Sequence, residues 1–216
     1  MAVAELRDVV VIRDSFYTRR GKRVMDVALA LALLPILLPV MSIIALGMAH
    51  RGHVIYGHRR VGRAGREFNC YKFRTMVLDA DLRLVDILSS DPKARAEWAR
   101  DHKLRDDPRV TRLGHVLRKT SLDELPQIWN VLLGEMSFVG PRPVTRDELV
   151  KYDRYAEAYL SVRPGVTGPW QVSGRSEVSY AARVMQDADY VADINLARDA
   201  GIIAQTALVP LKMSGR

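Results

Sequence analysis

The chain has 216 residues, with 33 Lys and Arg against 25 Asp and Glu and a net charge of +8. That length suits one domain with a core of its own, and the charge suits an anionic membrane surface or phosphate-bearing substrates. Nucleic acid is the weakest partner, since zinc spacing, a basic heptad region and an aromatic RNA-binding signature are all missing; Cys70 is the single cysteine, which excludes a disulfide framework and fits a reducing compartment.

Residues 1–18 are poorly periodic and read as an N-terminal arm. A basic run, Arg19-Arg20-Gly21-Lys22-Arg23, leads into an uncharged stretch from Val27 to Ala49. About 23 apolar residues meet the length of a membrane helix. A cleaved signal peptide fits poorly, because the run is too long and starts far from Met1. A simple span fits poorly too. Cations precede the run and follow it again at Arg51, Arg59, Arg60, Arg63 and Arg66, so the positive-inside rule puts both flanks on the cytoplasmic side. Pro35 and Pro39 lie near the middle and each favours a bend. Residues 19–50 are therefore expected to form a re-entrant membrane helix-hairpin, with 51–216 as a catalytic domain on the cytoplasmic face.

His53 to Thr75 reads as a small β-hairpin turning at Arg63-Ala64-Gly65-Arg66. Lys72 and Arg74 are two apart and share one strand face, as a phosphate clamp requires. Met76 to Ser89 is amphipathic. Asp106-Asp107-Pro108-Arg109 reads as a turn. A short basic helix, Thr111 to Lys119, leads into Ser121-Leu122-Asp123-Glu124-Leu125-Pro126-Gln127. Ser121-x-x-Glu124 has the form of a capping box, in which Pro126 would forfeit one backbone bond; with Asp123 as the N-cap, Pro126 falls at the third helical position, where its missing N–H costs nothing. Two adjacent carboxylates at a helix start would stay ionised in the macrodipole and welcome a metal or a phosphate. The helix is expected to run on to Leu133 and stop at Gly134.

Arg142 stands between Pro141 and Pro143, a stiff mount that loses little entropy when it holds a ligand. Val144 to Ser161 reads as one helix carrying Tyr152, Tyr155 and Tyr159. Arg163-Pro164-Gly165-Val166-Thr167-Gly168 reads as a second rigid loop, whose glycines would let backbone N–H groups approach an anion. Gln171 to Arg175 reads as loop, Ser179 to Asp193 as a helix, and Ile194 to Met213 as an amphipathic helix that packs on the core or lies in the membrane interface. The fold class is α+β and mostly helical.

These pieces together resemble the bacterial sugar transferases, the small monotopic phosphoglycosyl transferases. The resemblance rests on Lys22-Arg23-x-x-Asp26, Tyr71-Lys72-Phe73-Arg74-Thr75-Met76, Ser121 to Gln127, Met136 to Pro143 and Arg163 to Gly168. They stand in the family's order and cover nearly all of residues 19–213. The segments around Trp98, Asp107 to Thr111 and Thr167 to Arg175 look most like the exopolysaccharide-initiating members. The proline break differs from many members, reading Leu38-Pro39 in place of Ser-Pro.

The resemblance implies transfer of a sugar 1-phosphate from a UDP-sugar donor to undecaprenyl phosphate, with release of UMP. Asp123 would attack the β-phosphate and carry a covalent phosphosugar, with Mg²⁺ as cofactor at Asp123 and Glu124 assisting. Lys72, Arg74, Arg118, Arg142, Arg163 and Asp187 would bind substrate. The place implied is the bacterial inner membrane, with membrane lipids as partners and a homodimer compatible. Galactose is the first candidate sugar, and glucose or an N-acetyl-amino-sugar the alternatives. From another class, a non-catalytic membrane scaffold would use the same charge without the chemistry.

Overall fold

The computed structural model describes residues 13–49, 52–101, 104–173 and 179–208. Parts of the expected N-terminal arm, the Arg175 motif and the last residues of the terminal helix lie outside these.

A π-helical turn, Tyr17–Gly21, runs directly into the long helix α1, Lys22–Met48. The helical segment from Tyr17 to Met48 is long and apolar enough to cross a membrane. It continues through Pro35 and Pro39 without a separating turn, so the expected pair of helices is one helix here. A Pro costs one backbone bond and the steric fit at its turn, and the helical bonds on either side carry the chain past both. Its buried positions are Asp26, Ala30, Met41 and Met48, with Leu33, Leu34, Leu37, Ile44 and Ala45 packed against the same cluster. These lie at the three- and four-residue steps of one helix face. Val24, Leu31, Ile36, Leu38, Ile43 and Leu46 are exposed on the rest.

Strands β1 (Ile55–Val61) and β2 (Glu67–Phe73) form the expected hairpin, antiparallel, with Tyr56 opposite Lys72 and His58 opposite Cys70. Helices α2 (Ala80–Ser90) and α3 (Pro92–Asp101) follow, then α4 (Arg112–Thr120), which starts at a Thr111 cap. Leu78, Leu82 and Val85 at and before α2 are exposed. Helix α5, Gln127–Leu133, ends at Gly134 in the left-handed region, φ 81°. The main cluster gathers α1, β2, α4 and α5 through Phe68, Phe73, Leu117, Ile128 and Val131.

The C-terminal half differs from expectation at three places. The helix expected over Val144 to Ser161 is broken into α6 (Arg146–Val150), a 3-10 turn at Asp153–Tyr155 and α7 (Ala156–Ser161). Tyr152 and Tyr159 bury their rings and pack edge-on 5.1 Å apart, so core packing decides the path. The two rigid loops are partly strands: β3 (Ser137–Val139) and β4 (Gly165–Thr167) pair in parallel. A Cβ on Gly165 would meet the Gly140 nitrogen at 2.1 Å, so this glycine serves backbone-to-backbone contact and not an anion cradle. Third, the residues read as loop begin with α8, Pro169–Ser173. Helices α9 (Tyr180–Ala192) and α10 (Leu196–Leu208) close the fold.

Polar ties fix α1 to this body. The Asp26 carboxylate accepts from the Ser137 hydroxyl and the Phe138 N–H, both at 2.9 Å. Lys22 reaches the fully buried Asp199 of α10 at 2.5 Å, and Tyr17 and Tyr190 each donate to Asp199 at 2.6 Å. The Arg23 guanidinium donates to the Val131 and Leu132 carbonyls at the end of α5. Buried charges are tolerable when paired in this way.

Candidate functional site

The expected capping box does not form. Ser121 takes the left-handed conformation, φ 59°, as the residue that ends α4, and its side chain caps nothing. A non-glycine residue there is strained by roughly 1 kcal/mol or more. The chain reverses at Ser121 into a single 3-10 turn, Leu122–Glu124, and helix α5 starts only after Pro126. Pro126 therefore sits just before a helix, where its missing N–H is harmless. Asp123 is turned inward and is 8% exposed. Its charge environment comes from neighbouring side chains and not from the N-terminus of a long helix.

Those neighbours come from β2 and α4. Lys72 Nζ lies 2.6 Å from Glu124 Oε1. The Arg118 guanidinium donates to Thr75 Oγ1 at 2.8 Å. Thr75 is held in turn, its carbonyl accepting from the Thr111 N–H at 2.9 Å. A Cβ on Gly114 would meet that carbonyl at 2.2 Å, so α4 can approach only with glycine there. Behind Arg118, Asp107 and Arg109 form a buried pair at 2.7 Å, where the sequence showed only a turn. Burial pushes the Asp123 carboxyl above its ordinary range. Lys72 and Arg118 pull it down, and Glu124 pushes it up. The result is a poorly hydrated carboxyl that feels two cations and a second carboxylate one residue away.

Arg142 forms an adjoining group. Its guanidinium lies 5.7 Å from the Trp170 ring, which Arg183 approaches from 4.6 Å. Its charge is felt at Cys70 on β2, which also feels Lys72 and Glu124. The Cys70 thiol is buried and pushed up, so it is not a nucleophile. Asp187 is 1% exposed behind this loop and accepts from the Tyr152 hydroxyl at 2.8 Å. Burial pushes its carboxyl up to about 7, against the Tyr152 hydrogen bond and the Arg142 N–H and guanidinium. This carboxyl faces the Arg142 mount and not a surface where a ligand could reach it.

Arg74 and Arg163 stand apart. Arg74 follows the end of β2, donates to the His53 carbonyl at 3.0 Å and lies 5.2 Å from the Tyr56 ring. It lines a cavity of about 290 Å³ with Met48, Met76 and Leu78. Arg163 donates to the Gly134 carbonyl at 2.7 Å and faces Arg23 and Arg63.

Residues 17–213 match the model of the bacterial sugar transferase family. The chain belongs to that family. It is 51% identical over 221 residues to the UDP-galactose-lipid carrier transferase of Erwinia amylovora, covering all of this chain and 46% of that protein. It is 48% identical over 195 residues to the undecaprenyl-phosphate galactose phosphotransferase of Salmonella typhimurium, covering 90% of this chain and 41% of that one. The exopolysaccharide production protein ExoY of Sinorhizobium fredii is 51% identical over 190 residues, covering 86% of this chain and 83% of its own. The chain thus spans a little under half the length of the Erwinia and Salmonella proteins.

Among the described residues no group of three or more His, Cys, Asp or Glu side chains could hold a metal. Mg²⁺ typically takes one or two carboxylates together with substrate phosphates. Glu124 is engaged by Lys72, so Asp123 is the carboxylate this cluster would offer to such a shared ion. Asp199 escaped the sequence reading, and Thr75 and Asp26 entered it only as members of motifs, with no role assigned.

Proposed function

We propose that this chain transfers a sugar 1-phosphate from a UDP-sugar to undecaprenyl phosphate and releases UMP, the first membrane step of exopolysaccharide or glycoconjugate synthesis. The observation that carries the reading is the buried Asp123 carboxyl, which feels the charges of Lys72 and Arg118. Galactose 1-phosphate is the group first expected, by analogy with the names of the Erwinia and Salmonella relatives.

An anion attacking a diphosphate meets like charge, so cations must be in place before the bond forms. Lys72 and Arg118 supply them at the nucleophile, and Arg142 meets the donor from its stiff loop. One Asp123 oxygen bonds to the β-phosphorus while the bond from that phosphorus to the bridging oxygen breaks, and UMP leaves with the electron pair. An oxygen of undecaprenyl phosphate then bonds to the same phosphorus, and the Asp123 carboxylate is released. Two displacements at one carboxylate give ping-pong kinetics. Glu124 holds the Lys72 ammonium at the site. Mg²⁺ held by Asp123 with the donor phosphates would neutralise charge there. Asp187 acts on Arg142 as a positioning residue.

The acceptor phosphate lies at a membrane surface. The exposed apolar face of α1 would sit in that membrane, and Leu78, Leu82 and Val85 would touch its interface. The positive flanks on both sides favour holding both ends of α1 at the cytoplasmic face of the inner membrane, with the unbroken helix lying in that face instead of turning back within the bilayer. The test is UMP release by solubilised protein with undecaprenyl phosphate, Mg²⁺ and a panel of UDP-sugars. Release with one donor, absent in Asp123→Asn, supports the reading. Equal release by the variant, or none from folded wild type with any donor, contradicts it.

A further inference from the structure

Beside the basic end of α1 lies a cavity of about 530 Å³ that the Asp123 cluster does not use. Arg63 and Arg66 from the β1–β2 turn, Arg163 before β4, and Leu133 and Gly134 after α5 line it. Phe68 also lines it, and four steps along the strand, about 13 Å, lead from Phe68 to Lys72. A Cβ on Gly134 would stand 3.5 Å from the Arg23 guanidinium, which places the cavity against the start of α1.

The cavity is rich in guanidinium. Arg163 is half-buried, and its ionisation is pushed down by burial and by the charges of Arg23 and Arg63. The acids on the lining are engaged: Glu67 by Arg59 and Arg146, and Glu135 by the Asn130 amide. Like charges gathered around open volume are unfavourable until an anion joins them, and guanidinium forks suit phosphate oxygens. One side of the rim is apolar: Leu133 on the lining is 66% exposed, and Trp129 one turn earlier in α5 is 42% exposed. Trp exposed beside cations is the pattern of a membrane–water interface. A water-borne phosphate would use the guanidiniums and gain nothing from this rim, whereas a lipid would use both.

We infer that this cavity holds the phosphate headgroup of an anionic membrane phospholipid, with its acyl chains along Leu133, Trp129 and α1. The inference rests on the reading that α1 lies in a membrane. Arg63 and Arg66 are exposed side chains on a turn, so Arg63→Gln with Arg66→Gln leaves the fold intact. The experiment is flotation of the full chain with phosphatidylcholine vesicles, with and without phosphatidylglycerol. A control variant, Lys93→Gln with Arg154→Gln, removes the same charge from other exposed positions. At roughly fivefold per cation near the membrane surface, the cavity variant should lose about 30-fold of the preference for phosphatidylglycerol. The control should lose much less, and millimolar inorganic phosphate should not compete. Equal loss in both variants would overturn the site, and full competition by inorganic phosphate would overturn the lipid as its ligand. Failure of wild type to float with phosphatidylcholine alone would instead overturn the membrane reading beneath it.

Discussion

Replacing Asp187 by Asn should change how stability depends on pH. The wild-type carboxyl is 1% exposed, with its ionisation pushed up to about 7 from an ordinary value of 3.8. Between those two values the folded state binds a proton that the unfolded state has released. Stability therefore falls as pH rises through this window and levels off above about 7. A shift of roughly three units at 1.36 kcal/mol each makes the loss about 4 kcal/mol. Asn resembles the protonated acid, and its amide oxygen can still accept from Tyr152. Only at about pH 3.5, below the unfolded value, should the two proteins unfold at similar temperatures. At pH 8.5 the variant should be the more stable, by about 10 °C at the 2–4 °C per kcal/mol usual for this size. The assay is thermal unfolding of detergent-solubilised protein, followed by tryptophan fluorescence across pH. Parallel curves for wild type and variant would refute the idea that Asp187 is a buried, high-lying acid.

Lys72→Met removes the first of the charges that hold the Asp123 ionisation down and leaves Glu124 facing it. The acid limb of the pH–rate profile should move to higher pH, and the plateau rate should fall about 100- to 1,000-fold, as for other charge-stabilising donors; a plateau loss with an unmoved limb would separate the cation from Asp123. Asp26→Ala strands the Ser137 hydroxyl and the Phe138 N–H, at about 1–3 kcal/mol each. A melting temperature lowered by less than about 3 °C, below the range for this size, would show that this tie of α1 to β3 is dispensable. Gly165→Ala puts a Cβ into the Gly140 backbone and should cost about 4 kcal/mol or more, visible as lost soluble expression or a collapsed unfolding transition.

The local elements with strong signals were legible in the sequence. The β1–β2 hairpin, the Thr111-capped helix and the stop at Gly134 follow from turn, cap and glycine chemistry acting over a few residues. The errors came where long-range packing overrides local preference. Ser121-x-x-Glu124 has the letters of a capping box, but Glu124 pairs with Lys72, 52 residues away, and Ser121 is spent on reversing the chain. The Arg142 and Arg163 loops looked alike, yet β3–β4 pairing sends their cations to different places. That pairing is parallel, between segments far apart in the chain, and no hairpin turn announces it. Lys72, Arg118, Asp123 and Glu124 meet as one cluster because β2 lies along the 3-10 turn. Thr75 and Asp187 matter through what they hold, which composition and spacing do not encode.

The central claim is that Asp123 becomes covalently phosphorylated by the donor. Intact-mass measurement after incubation with the UDP-sugar and Mg²⁺, without lipid acceptor, tests it most directly. The account predicts one sugar-phosphate adduct per chain, mapped to Asp123, absent in Asp123→Asn and discharged when undecaprenyl phosphate is added. Steady UMP release that depends on acceptor, with no adduct at any time and none on rapid quenching, would contradict it and favour direct attack by the lipid.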